Sequence, residues 1–351
     1  MSQHPSITIA GRPIGINHPP YVVAEMSANH NGSLERALHL LEVAQQAGAD
    51  AVKIQSYTAD TITLPGDTED FIIRGGLWDG RRLHELYREA EMPWDWHAPL
   101  FAHARKLGIT LFSSPFDRTA VDLLESLDAP AYKIASFEAV DLPLIRYVAS
   151  TGKPMIISTG MANAQEVAEA VQAAREGGCR ELAVLRCVSG YPAAPQDYNL
   201  RAIPDLVQRH GVVAGLSDHT LDDTTAIASV ALGAALVEKH YTLDRNGGGP
   251  DDAFSLEPAE LARLCRHLRT AWQALGVVRY GPAASENGNV KFRRSVYFVK
   301  DLAEGEVVTE DAIRVVRPGY GAAPKHYEAF LGKRMRRAVA RYTPAQLADV
   351  G

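Results

Sequence analysis

Eight short apolar runs, each followed by a longer amphipathic stretch, limit the fold of this 351-residue chain more than any other feature. The runs are YVVAEMS (21–27), AVKIQ (51–55), ITLFSSP (109–115), AYKIAS (131–136), MIISTG (155–160), ELAVLRCV (181–188), VVAGLSDH (212–219) and LVEKHYTL (236–243). Most are near-continuous Val, Ile, Leu and Ala, the pattern of parallel strands covered on both faces. The intervening stretches have helical periodicity. SLERALHLLEVAQQAGA opens with Ser33 as N-cap and closes at Gly48. Eight β-then-α units in this length predict an α/β fold of the (β/α)8 TIM-barrel type, with a doubly wound open sheet as the rival.

The segment before the first run, residues 6–17, reads as a hairpin at the barrel bottom. After the last unit the charge changes sign. Residues 291–351 hold 12 Lys and Arg against 7 Asp and Glu, within a chain whose overall net charge is −6. That shift, with the GPAASENGN stretch, predicts a barrel domain over 1–281, a linker over 282–291 and a small, mostly irregular β module over 292–351. The basic module either docks on the acidic domain or serves its site. With 46% hydrophobic and 22% charged residues, disordered and collagen-like classes are excluded. Cys179, Cys187 and Cys265 form no CxxC pair, which fits a reducing cytoplasm. No signal core and no apolar run of about 18 residues is present, so neither export nor membrane insertion is expected. The basic residues form no dense block interleaved with aromatics, so nucleic acid is not expected as a partner.

An unpaired charge buried in a parallel strand costs several kcal/mol, so ionisable residues there need a reason. Glu25, Lys53, Gln55, Ser113, Ser114, Ser158, Ser189, Ser217 and His219 fall late in the runs or just beyond them, and Lys133, Ser136, Glu238 and His240 lie within theirs. Barrel active sites are built at that end of the strands, which predicts one shared polar pocket. His219 and His240 lie on neighbouring strands and either hold one divalent cation or are core histidines bonded to backbone. Glu25 joins the metal shell or acts as acid and base, and Asp218, on the opposite face, either supports a metal ligand from behind or is structural. Lys53 and Lys133 either bind a small phosphate- or carboxylate-bearing anion or pair with buried carboxylates. Two imidazoles with oxygen ligands suit Mn²⁺, Zn²⁺ or Co²⁺, and Mg²⁺ where water completes the shell. No nucleotide-binding loop is present, and Arg88 stands where an HExxH zinc site starting at His84 needs its second His. The glycine-rich stretch DRNGGGPDDAF reads as a mobile loop over the mouth or as a long turn.

The runs AEMSANHNGS, AGADAVKIQ, FSSPFD, YKIASFE, STGM, GLSDHT, EKHYTLDR and RPGYG, in that order, resemble the sialic acid synthase family over nearly the whole chain. GGLWDGRRLHELYREAEMPWDWH and CVSGYP are most similar to its pseudaminic branch, and the tail resembles the antifreeze-like (SAF) module of the β-clip type. The resemblance implies condensation of phosphoenolpyruvate with an open-chain amino sugar to a nine-carbon 2-keto acid, with loss of phosphate. For the pseudaminic branch the implied acceptor is 2,4-diacetamido-2,4,6-trideoxy-altrose. It implies that His219 and His240 bind Mn²⁺ or Mg²⁺, and that Lys53, Lys133, Ser136, Ser158 and Ser217 hold phosphoenolpyruvate. Gln55, Glu138, Tyr191 and Asp251 match positions near phosphate or sugar. Ser189 stands where the neuraminate branch has Asn. Arg317 is implied to reach the acceptor of a partner subunit in a domain-swapped homodimer. The alternatives are an N-acetylneuraminate or legionaminate synthase, a metal-dependent barrel hydrolase, and a non-enzymatic carbohydrate- or ice-binding protein.

Overall fold

The computed structural model describes residues 4–351, in two compact units, the first running to Gly276 and the second spanning Val277–Gly351. The first opens with an antiparallel hairpin of β1 (Ser6–Ile9) and β2 (Arg12–Gly15). Eight parallel strands then close into the expected barrel: β3 (Tyr21–Glu25), β4 (Ala51–Ser56), β5 (Thr110–Pro115), β6 (Tyr132–Ile134), β7 (Met155–Ser158), β8 (Leu182–Cys187), β9 (Val213–Asp218) and β10 (Leu236–His240). β10 pairs with β3, so no edge remains open. The connections carry α1 (Leu34–Ala47), α2 (Ala59–Ile62), α3 (Leu83–Ala90), α4 (His97–Leu107), α5 (Arg118–Ser126), α6 (Leu142–Ala149), α7 (Ala164–Glu176), α8 (Ala202–His210) and α9 (Thr224–Ala231), and α10 (Pro258–Leu275) follows β10. Among the described residues, no helix is long and apolar enough to cross a membrane.

Local chemistry explains where these elements begin and end. Ser33 caps α1 by accepting from the Arg36 N–H, and Gly48 ends it in the left-handed region at φ 85°. Closure depends on Gly215 in β9, where an added Cβ would sit 2.3 Å from the Leu236 carbonyl oxygen and 2.7 Å from Leu185. Any side chain there would push β10 away from β9. The layer outside the strands joins residues such as Val22, Val52 and Val184 to the helices through Leu40, Leu100 and Leu264. Inside the barrel, Ile7, Ile9 and Ile14 of the hairpin pack with Tyr21, Ala51, Ala235 and Leu236 at the strand starts. Each fully buried Ile there contributes about 1.5–3 kcal/mol of transfer free energy. The hairpin end is therefore dry, and the opposite end of the strands is left for polar chemistry.

The second unit pairs β11 (Ser295–Phe298) with β12 (Ile313–Val316) in antiparallel fashion around Val296, Phe298, Leu302, Ile313, Phe330 and Met335. Isolated bridges such as Leu302 with Val339 and Met335 with Val350 complete a small, irregular β module. The glycine- and asparagine-rich stretch expected as a plain linker is instead wound into 3-10 turns over Ala284–Phe292. Glu286 starts them by accepting from the Ala283 N–H at 2.8 Å.

Candidate active site

Strand alternation brings Glu25, Lys53, Lys133, Ser158 and Ser217, each from its own strand, and Glu238 and His240, both from β10, to one end of the barrel. Together with His219, just past β9, they line a cavity of about 340 Å³. Both lysines are nearly inaccessible, at 3% and 2% exposure, so their charges must be met inside the protein. They are. Lys53 Nζ lies 2.8 Å from Glu25 Oε2 and 3.5 Å from Glu238 Oε1, while Lys133 Nζ donates to Glu238 Oε1 at 3.0 Å. Ser114 accepts from Lys53 at 3.2 Å, and the Ser217 hydroxyl donates to Glu238 at 3.4 Å. The lysines thus face the cavity and pair with carboxylates at once. Burial pushes the Glu25 carboxyl up, although Lys53 pulls against it. Burial alone would lower Lys53, but Glu238 and Glu25 outweigh it, and the ammonium is held above its ordinary value. Lys133, with one carboxylate and a neighbouring lysine, is lowered by its burial. For Glu238 the two lysines overcome burial and keep the carboxyl well below the usual range.

The two histidines are brought together, with ring centroids 5.3 Å apart. His219 Nδ1 lies 2.7 Å from the Val188 carbonyl oxygen, so it carries the proton and leaves Nε2 with its lone pair. The His240 Nδ1 is buried and has no hydrogen-bond partner among the described residues. Burial lowers His219 to about 4 and holds His240 well below its ordinary value, which favours the neutral imidazole, the form that ligates a metal. Among the described residues no third His, Cys, Asp or Glu completes a protein-only metal cluster. A cation here would take its remaining ligands from water or substrate.

Ser136, Ser158, Ser217, Glu138, Gln55, Tyr191 and Asp251 line the same cavity. Ser189 does not. It lines an adjacent depression with Met161, Arg186 and Asp197, although its hydroxyl lies near the cavity's serines. Gly160 is the reason the hydroxyls can approach. A Cβ there would fall 2.2 Å from Ser189 Oγ and 2.8 Å from Ser136 Oγ, and the Gly160 N–H donates to Ser136 at 3.1 Å. Among the described residues, the buried polar atoms Ser158 Oγ, Ser189 Oγ, Glu138 Oε2 and Glu238 Oε2 have no hydrogen-bond partner. Unsatisfied groups in one place are expensive unless a polar ligand completes them. Burial also pushes the Glu138 carboxyl up to about 7. Arg317 is an exposed residue of the second unit.

Three features escaped the sequence reading. Glu238, central to the charge balance, reads from the sequence only as one polar strand residue among several; its alternation with His240 is the available signal. The stretch 57–96 between β4 and α4 supplies an apolar wall through Tyr57, Ile73, Trp78, Leu83 and Leu86, signalled only by the unusual length of that connection. The glycine-rich stretch after β10 is neither loose nor a plain turn. Asp251 accepts from Ser27, Asp252 accepts from Asn31 at 2.8 Å and from Thr242, and Trp78 Nε1 donates to the Pro250 carbonyl at 3.1 Å. Gln55 links this anchor to the lysine cluster by donating to both Ser27 and Glu25 at 2.9 Å. The serines of β5 also divide: Ser114 turns toward Lys53, whereas Ser113 faces the helices through Ser56, which bonds His97 Nε2 at 2.7 Å.

A closed parallel barrel with paired imidazoles, paired lysines and unsatisfied hydroxyls at the C-terminal ends of its strands is the architecture of a TIM-barrel enzyme acting on an anionic substrate. The NeuB family model matches residues 40–280 and the SAF domain model matches residues 293–351, and the chain belongs to the NeuB family of sialic acid synthases. It is 43% identical over 314 residues to the pseudaminic acid synthase of Campylobacter jejuni strain 81-176, covering 90% of this chain and 92% of that one. It is 41% identical over 334 residues to the pseudaminic acid synthase of Helicobacter pylori, covering 95% and 98%. Among solved structures, N-acetylneuraminic acid synthetase from Leptospira borgpetersenii, in complex with citrate, aligns with a TM-score of 0.73 at 31% identity, covering 83% of this chain and 96% of that one.

Proposed function

We propose that this chain is a pseudaminic acid synthase, condensing phosphoenolpyruvate with open-chain 2,4-diacetamido-2,4,6-trideoxy-altrose and releasing inorganic phosphate. The observation that carries the reading is the convergence of two neutral imidazoles and two buried ammonium groups on one cavity. The extent of similarity to two pseudaminic acid synthases supports the choice of acceptor. The three cysteines are free and buried, in keeping with a cytoplasmic enzyme.

In this reading His219 and His240 hold Mn²⁺ or Mg²⁺, with Zn²⁺ and Co²⁺ compatible with the same donors. The orphaned His240 Nδ1 and the neutral state of both rings fit that role. When bound, such an ion supplies Lewis acidity toward the sugar aldehyde. Lys53 and Lys133 offset the charge of phosphoenolpyruvate and of the departing phosphate. Hydroxyls of Ser136, Ser158 and Ser217 donate to its oxygens, with Ser189 beside them, while Gln55, Glu138, Tyr191 and Asp251 orient phosphate and sugar. Carbon 3 of phosphoenolpyruvate forms the new bond to the aldehyde carbon, and water adds at carbon 2. Cleavage of the bond between carbon 2 and the bridging oxygen releases phosphate and leaves the ketone. Glu25, next to Lys53, moves the proton of that water. The reading extends to a swapped homodimer in which Arg317 serves the acceptor of the other subunit.

The test is a coupled phosphate assay with the trideoxy-altrose and N-acetylmannosamine acceptors side by side. Phosphate release that needs phosphoenolpyruvate and favours the altrose sugar, with the nonulosonate mass in the product, is expected. Preference for mannosamine overturns the acceptor, and no release with either sugar overturns the reaction.

A further inference from the structure

The residues immediately before the two histidines form a second buried polar cluster, on the opposite face of the sheet from the cavity. Asp218 precedes His219, Lys239 precedes His240, and Lys239 and Asp218 are register partners across β9 and β10. Strand alternation sends these side chains outward when the imidazole of β10 points inward. Lys239 is 2% exposed and Asp218 fully buried, so the pair stands in low dielectric, where an unneeded ion pair is a poor source of stability. Lys239 Nζ donates to Asp218 Oδ2 at 2.7 Å, to the carbonyls of Thr220 and Asp222 at 2.6 and 2.7 Å, and to Thr220 Oγ1 at 3.2 Å. Asp218 in turn accepts from the Thr220 N–H at 2.9 Å and from its hydroxyl at 3.1 Å. One ammonium group on β10 therefore ties down the backbone that follows His219 directly and the residue that precedes it through the Asp218 carboxylate. The Tyr198 hydroxyl accepts from the His219 N–H at 2.6 Å and fixes it from another direction.

We infer that the Lys239–Asp218 pair is a positioning device that sets the spacing of His219 and His240, and so presets the cation site that the proposed function places between them. Lys239 and Asp218 touch neither cation nor substrate in this role. They act through the two strand ends, which could otherwise separate where the β9–β10 ladder stops at Lys239 and Asp218. A hydrophobic pair would fill the same space, but it could not hold the carbonyls of residues 220 and 222.

The inference rests on the metal reading of the histidines, and one titration separates the two. Mn²⁺ affinity of the full chain is measured by electron paramagnetic resonance, without substrate, for wild type, Lys239→Met and the double variant Lys239→Met/Asp218→Asn. The single variant strands a buried carboxylate and can fail to fold; the double variant removes both charges and keeps the volumes. Leu264→Ala, in the helix layer, serves as a control matched for loss of thermal stability. The double variant is expected to bind Mn²⁺ about 10–100-fold more weakly, as when groups that orient metal ligands are removed, while Leu264→Ala keeps wild-type affinity. A folded double variant with wild-type affinity, or an equal loss in Leu264→Ala, overturns the positioning role and leaves the metal reading standing. Wild-type protein that binds no Mn²⁺ overturns both.

Discussion

Glu238→Gln is the most informative single change in the lysine cluster. Glu238 Oε1 lies 3.0 Å from Lys133 Nζ and 3.5 Å from Lys53 Nζ, and these are the contacts that let two ammonium groups share one buried floor. At an effective dielectric of about 20, each contact is worth roughly 5 kcal/mol of gross attraction, before the desolvation that opposes it. Breaking a buried pair by removing one partner typically costs about 3–5 kcal/mol, a large part of a stability of about 5–15 kcal/mol. For a unit of this size that corresponds to a fall in Tm of about 6–10 °C. The amide leaves Lys53 with Glu25 and leaves Lys133 with no carboxylate. An anion entering the cavity would restore the missing charge, so saturating phosphoenolpyruvate should raise the Tm of the variant by several degrees more than that of wild type. Thermal unfolding with and without phosphoenolpyruvate checks both parts. Wild-type stability in the variant, or an equal ligand shift in both proteins, would refute the view that Glu238 occupies the charge balance that substrate takes over.

Further outcomes are expected elsewhere in the site. Glu138 has a folded-state pKa of about 7 against an ordinary value of 4.5, so the native state holds an extra proton between those values and stability falls as pH rises through them. Glu138→Gln should therefore gain stability relative to wild type at pH 8 and lose that advantage below about pH 4.5; a difference independent of pH counts against this. Gly160→Ala should displace the hydroxyls of Ser189 and Ser136 and raise the KM for phosphoenolpyruvate roughly 2–10-fold, the worth of one hydrogen bond, with little change in Tm. An unchanged KM removes these serines from the phosphoenolpyruvate site. Mixing His240→Ala subunits with Arg317→Ala subunits should recover activity that neither has alone, and no recovery counts against the swapped dimer.

The barrel was legible because a strand covered on both faces must be apolar for its whole length, and eight such runs leave few alternatives. The polar ends were legible for the same reason in reverse, since Lys53, Lys133 and His240 break those runs where burial makes a break costly. Glu238 could have been found by asking what neutralises two converging lysines. Period two alone also separates Ser114 from Ser113. What could not be read is contact made by residues far apart in the chain. Nothing local says that Asp251 meets Ser27, or that Trp78 holds the Pro250 carbonyl, so the glycine-rich stretch looked unanchored. Composition misled in a similar way at Ala284–Phe292, where one carboxylate suffices to start 3-10 turns in a sequence of loop-forming residues.

The central claim is that a cation on His219 and His240 and an enol phosphate on Lys53 and Lys133 occupy the same cavity. Paramagnetic relaxation of the phosphoenolpyruvate phosphorus nucleus by Mn²⁺ measures that proximity in solution. Strong enhancement in wild type that disappears in His219→Ala, with phosphoenolpyruvate still bound, is the result expected. Relaxation of bound phosphoenolpyruvate that is the same with Mn²⁺ as with diamagnetic Mg²⁺ would contradict it.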